Sequence, residues 1–365
     1  MKFAMKCIFF LLACFATLLF GCSDDDNDLK LPAGIQWKSL GLNGETVNQM
    51  QLYDEKFLYV ATNKGLYKRS IDDSAPGFDP LGFNDKNVQA IEVIGDQQLI
   101  ASLFDKTGGE EPALYVTTND GDTWEPLETN FGGATPEPVL DFAVHPDDPD
   151  TWYATGFAVV ARSQDQGETW TPIYGDWGAL STGISVVTVN PNAPHDVWAG
   201  GQGGIENGFL LRSENETDWD RWDDLVENPS VVKEITFTET LDQSIYVGFE
   251  GALLRSGDDG ENWETLIDSD EGKFFFGVGL SDGDADQFYT GGWLKTADPQ
   301  PLVLHITYDG GETFEEITYE PETYGGIWEM VVLSKSTATK DRVFLGLDKG
   351  GVYEVIIPSK SLATE

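Results

Sequence analysis

Asp141, Glu234 and Glu329 are the side chains best placed to do chemistry. Each stands two residues after the start of a short apolar segment, at Val139, Val232 and Ile327. Four further segments start at Val47, Val88, Ile184 and Phe275, and carry Gln49, Ala90, Val186 and Gly277 at that position. Two carboxyls on one wall can act as proton donor and as base or nucleophile, the pair that glycosidic cleavage needs. The same three groups would also serve as the lining of a water-filled channel. Trp177, Trp293 and Trp328, with Tyr174 and Tyr324 nearby, fall outside every repeat. They read either as a stacking platform for flat ligands such as sugar rings or as pins for long loops. Lys106 and Lys295 lie in the same loops and would suit an anionic ligand, or simply be solvated.

Other signals are incomplete. Gly279-x-Ser281-x-Gly283 has nucleophile-elbow spacing but follows a strand and precedes a turn, where that motif needs a helix. Asp282-x-Asp284-x-Asp286 starts like a calcium loop, yet Gln287 replaces the glycine and Trp293 the closing glutamate. A looser calcium site is the only cofactor left open. With 3 His and no cysteine after Cys22, no metal centre is expected.

These residues need elements to hold them, and an internal repeat supplies the elements. Ser163-x-Asp165-x-Gly167-x-Thr169-Trp170 recurs as Thr117-x-Asn119-x-Gly121-x-Thr123-Trp124 and Thr307-x-Asp309-x-Gly311-x-Thr313-Phe314. Ser256-x-Asp258-x-Gly260-x-Asn262-Trp263 is a near copy, and worn copies begin at Ser70 and Ser213. Such a segment closes a hairpin: hydroxyl and carboxylate bond the turn amides, and glycine takes the left-handed position. Asn119, Asp165, Asp258 and Asp309 are therefore structural. The aromatics Trp37, Phe78, Trp124, Trp170, Trp222, Trp263 and Phe314 step by 41, 46, 46, 52, 41 and 51 residues, one four-stranded unit per step. The last unit lacks its outer strand, and Ile35–Leu40 is the spare that fits it. The expectation is an all-β, seven-bladed β-propeller over 34–358, with its ring closed by the N-terminal strand.

These boxes resemble those of the BNR/Asp-box superfamily, which includes sialidases, sortilin-type receptors, xyloglucan-specific endoglucanases and photosystem assembly factors. The resemblance implies the fold and leaves function open. Sialidases clamp their substrate with three arginines and carry an Arg-Ile-Pro element. That element is absent here, and Arg69, Arg162, Arg212 and Arg255 each precede a box, on the face away from the long loops.

Lys2 and Lys6 precede an apolar run from Cys7 to Phe20. The run is short of the about 20 residues that span a bilayer and reads as a signal peptide, 1–21. Leu19-Phe20-Gly21-Cys22 resembles the lipobox of bacterial lipoproteins, which implies lipidation of Cys22. The segment 22–33 then reads as an acidic tether, similar to the export signal of surface lipoproteins. The expected location is the outer membrane, exposed at the cell surface and held by the lipid anchor only. A net charge of -41 opposes nucleic acid as a partner.

Ligands belong on the face that carries second-to-third-strand loops and blade-to-blade connections, because its insertions are long and irregular. The leading expectation is a non-catalytic surface lipoprotein binding an extracellular glycan or other small ligand. A polysaccharide-cleaving hydrolase or lyase, and a protein-interaction scaffold for an outer-membrane transporter or assembly complex, are the alternatives.

Overall fold

The structure is a computed structural model that describes residues 34–104, 113–127, 138–175, 183–204, 207–226, 230–238, 243–269, 272–281, 286–295, 299–320, 325–337 and 340–358. Cys22, the tether, Lys106, Trp177, Tyr324 and the Asp282–Asp284 portion of the calcium-like run lie outside them. The described strands form seven separate antiparallel sheets of four. Six sheets use four consecutive strands. The seventh combines Ile327–Thr337, Lys340–Leu347 and Gly351–Pro358 with the N-terminal strand Gln36–Gly41. Trp37 pairs with Val355 and stacks on Tyr319 of the preceding blade, centroids 4.8 Å apart. The expected closure is the observed one.

Alternation along each strand puts apolar side chains into the joints between blades. Seven buried clusters result, one per joint. The residues that open the seven inner segments, Val47, Val88, Val139, Ile184, Val232, Phe275 and Ile327, are all fully buried. At roughly 1.5–3 kcal/mol for each large apolar side chain buried, these joints supply most of the drive to fold.

The boxes are hairpin turns. Ser163 Oγ donates to Asp165 (2.8 Å) and accepts from Gly167 N–H (2.8 Å), while Asp165 accepts from Thr169 N–H at 2.7 Å. The Thr169 hydroxyl donates to the same carboxyl at 2.5 Å, and together with these bonds it holds Asp165 below the usual carboxylate range. The left-handed glycine is required for space as well as φ: a Cβ on Gly121 (φ 85°) would lie 2.4 Å from the Leu81 carbonyl of the neighbouring blade.

Candidate functional site

The inner strands Val47–Tyr53, Val88–Gly95, Asp141–His145, Gly183–Val189, Glu234–Phe237, Lys273–Leu280 and Ile327–Thr337 enclose the ring's axis. A cavity of about 250 Å³ lies where these strands begin. Asp141, Glu234 and Glu329 all line it, together with Gln49 and Val186 of the same ring. The equivalence read from the sequence is thus a spatial one.

A second ring lines the cavity as well. Five inner strands carry one extra residue just after their start, with register shifts between Val47 and Gln49, Val88 and Ala90, Ile184 and Val186, Phe274 and Gly277, and Ile327 and Glu329. A bulge re-aims side chains, so neighbours in sequence can share one side of a strand. Asn48, Gln89 and Ser185 sit at such bulges, while Leu140 and Lys233 stand just before their strands begin, where alternation does not hold; all five join the lining. Strict alternation would turn this ring away, and sequence reasoning missed Lys233 for that reason. The seven-fold column read one residue earlier (Asn48, Gln89, Leu140, Ser185, Lys233, Phe276, Trp328) was the available signal.

The three carboxylates are not equally free. Asp141 accepts from Val187 N–H of the next blade and from Gln49 Nε2, both at 2.9 Å. An inner strand turns an unpaired edge to the axis, and here a side chain of the preceding blade caps it. Gln49 and Gln51 do the same for Ile91 and Val93 N–H, each at 2.7 Å. Glu234 accepts from Thr236 Oγ1 at 2.5 Å. Among the described residues Glu329 makes no hydrogen bond and no ion pair within 4 Å.

Desolvation dominates the protonation of this ring. It raises Asp141 to about 7 and Glu92, one step deeper, to about 8. It also raises Glu234 and Glu329, against the pull of Lys233. Lys233 is lowered by the same burial, opposed by Glu329, Glu234 and Asp141.

An aromatic nest borders the cavity. Lys233 Nζ lies 4.0 Å from the Trp328 ring centroid and 5.6 Å from that of Phe276. Trp328 meets Trp293 at 4.9 Å and 88°, and Phe274 packs against both Phe276 (4.7 Å) and Trp293 (5.0 Å). Edge-to-face packing suits the ring quadrupoles, so Trp293 and Trp328 do not form the flat platform envisaged from the sequence. Lys295 lies beside this nest, its ammonium 5.7 Å from the Phe274 centroid. Tyr174 belongs elsewhere: it sits on an outer strand against Trp219 and accepts from Arg221 at 3.2 Å.

The arginines and lysine near the boxes are structural. Arg162 binds Glu216 of the next blade, where Tyr153 also donates at 2.7 Å. Lys68 binds Asp120 at 2.6 Å, and Arg255 donates to the Gly310 carbonyl at 2.6 Å. No group of three or more His, Cys, Asp and Glu among the described residues has metal-binding geometry.

No family model and no curated protein matches the chain. Solved structures do. YCF48 bound to D1 peptide is similar over 90% of this chain and 97% of its own, with TM-score 0.60 and 14% identity. The GH74 xyloglucanase from Xanthomonas campestris matches over 88% of this chain with TM-score 0.66 and 14% identity, and this chain spans 53% of it. The extracellular domain of BT4673 from B. thetaiotaomicron, assigned to a hybrid two component system, matches over 88% of this chain with TM-score 0.62 and 15% identity. This chain spans 39% of that domain. At these identities what is shared is the fold. The chain is a seven-bladed β-propeller.

Proposed function

We propose that this chain is a non-catalytic receptor of the Asp-box type, lipid-anchored through Cys22 at the outer surface of the cell, whose channel mouth binds an extracellular glycan. The observation that carries the ligand reading is the axial cavity, where ionisable and amide side chains converge beside the Trp293–Trp328 nest. A small number of polar groups set against aromatic carbon is what sugar recognition needs. The likeness to a xyloglucanase and to an extracellular sensor domain is in keeping with it. The anchor reading rests on Leu19–Cys22 and the acidic run Asp24–Asp28. Binding of the purified protein to a polysaccharide panel tests the ligand, with Trp328→Ala weakening capture at least tenfold; equal capture by both proteins would refute it. Radiolabelled palmitate should enter the wild type and not Cys22→Ser.

A catalytic reading is favoured by one feature. Glu234 and Glu329 share the cavity without backbone bonds, and a carboxyl raised by desolvation is suited to donate a proton. Product release that is lost in Glu234→Gln would establish it in place of the receptor. A protein-binding scaffold, in line with the peptide held by YCF48, predicts that a membrane protein crosslinks to this chain with no glycan required.

A further inference from the structure

We propose that the channel cavity takes the terminal residue of a neutral glycan chain, entering end-on, with its hydroxyls bridging Lys233 and Glu329. This narrows the receptor reading above and rests on it. The first argument is enclosure. The cavity wall draws on the inner strands of six blades, all but the sixth, and the strand pair Gln36–Gly41 with Gly351–Pro358 seals the ring around it. A polymer cannot lie across such a site as it lies in an open cleft. It can reach the cavity only by presenting an end along the axis.

The second argument is size. About 250 Å³ falls below the roughly 300–1,000 Å³ typical of sites for drug-sized ligands. One ring-sized residue is the scale of guest that fits, not a segment of several.

Charge selects the class of residue. Asp141, Glu234 and Glu329 line the cavity with Glu92 nearby in the channel, against the single ammonium of Lys233. The burial that pushes these carboxyls up toward their neutral forms would equally penalise the fixed charge of a uronic or sulfated residue. Lys233 is held by its cation–π contacts with Trp328 and Phe276 and, among the described residues, has no hydrogen bond and no ion pair within 4 Å. Its N–H donors and the Glu329 acceptors therefore both remain available at one cavity. A hydroxyl donates and accepts at once, so neighbouring hydroxyls of a neutral sugar can join the two where a fixed charge cannot.

Titration calorimetry of the purified protein with four unbranched neutral polymers, amylose, pullulan, linear mannan and linear β-1,3-glucan, each in a short and a long fraction, tests the inference. End-on binding requires one protein per chain, so the mass of polymer needed for saturation rises in proportion to chain length. Gln89→Trp, which fills the cavity, and Lys233→Met should each weaken binding at least tenfold while the melting transition stays cooperative. Saturation at the same polymer mass for both lengths would overturn end-on entry and leave the glycan reading standing. Wild-type affinity in both variants would also overturn it. No binding by any of the four polymers would remove the glycan reading itself.

Discussion

Asp141 and Glu329 belong to one ring yet are set for different work. Asp141 is spent on a backbone N–H and an amide, so its loss should disturb the neighbouring strand. Asp141→Ala is expected to cost about 1–3 kcal/mol, because the Val187 N–H loses its partner. Glu329→Gln should leave stability nearly unchanged while weakening ligand binding. Equal unfolding midpoints for both variants in urea would contradict this division. A pH dependence follows from the same ring. A carboxyl with its folded-state pKa above the unfolded value keeps its proton longer in the folded protein. Its contribution favours folding most below about pH 4 and declines as pH rises toward about 7–8, where Asp141 and Glu92 ionise. The melting temperature should therefore fall between about pH 5 and pH 8, and Glu92→Gln should flatten that fall. A flat or rising wild-type profile would count against burial of these groups.

At the scale of elements, the box hairpin does two jobs. It closes its own blade, and its fourth residue is gripped by the blade before. Asp120, Glu216 and Gly310 are equivalent positions, met by Lys68, Arg162 and Arg255 of the preceding blade. Two of these three have left-handed backbone at a non-glycine residue, Asp120 at φ 56° and Glu216 at φ 60°. The third is glycine, and there the carbonyl accepts instead. A double-mutant cycle on Arg162→Ala and Glu216→Ala should give a coupling of about 1 kcal/mol, reduced in a Tyr153→Phe background. Within the turn, Asp165→Asn should be mild, since Asn119 accepts from Thr123 N–H (3.0 Å) in the equivalent box. Asp165→Ala should cost about 1–2 kcal/mol by chemical denaturation.

For the whole molecule, the ring depends on one exchanged strand. Without Gln36–Gly41, the strand Gly351–Pro358 becomes an open edge, and an unpaired edge recruits other chains. A protein starting after Gly41 should elute from size exclusion as soluble aggregate or dimer and lose a single melting transition. A monomer with wild-type melting would mean that the closure is dispensable. Trp37→Ala should act in the same direction and more weakly, because it removes packing on Tyr319 and the adjoining core while the strand pairing stays.

The blade count, the place of every box, the closing strand and the shared level of Asp141, Glu234 and Glu329 are all legible in the order of residues. All of these follow from patterns that repeat with the blade, and a repeat is legible because each copy obeys the same local physics. The folded arrangement settled the features that lie where that repetition breaks. Lys233 enters the cavity from non-strand backbone just ahead of Glu234–Phe237, where the alternation that would have hidden it does not apply. Contacts between blades fixed Asp141 to Val187 and left Glu329 open, a distinction that two identical carboxyl groups cannot carry in their own positions. Packing turned Trp293 and Trp328 edge to face and kept Tyr174 on an outer strand, since ring orientation is set by neighbours far away in the chain.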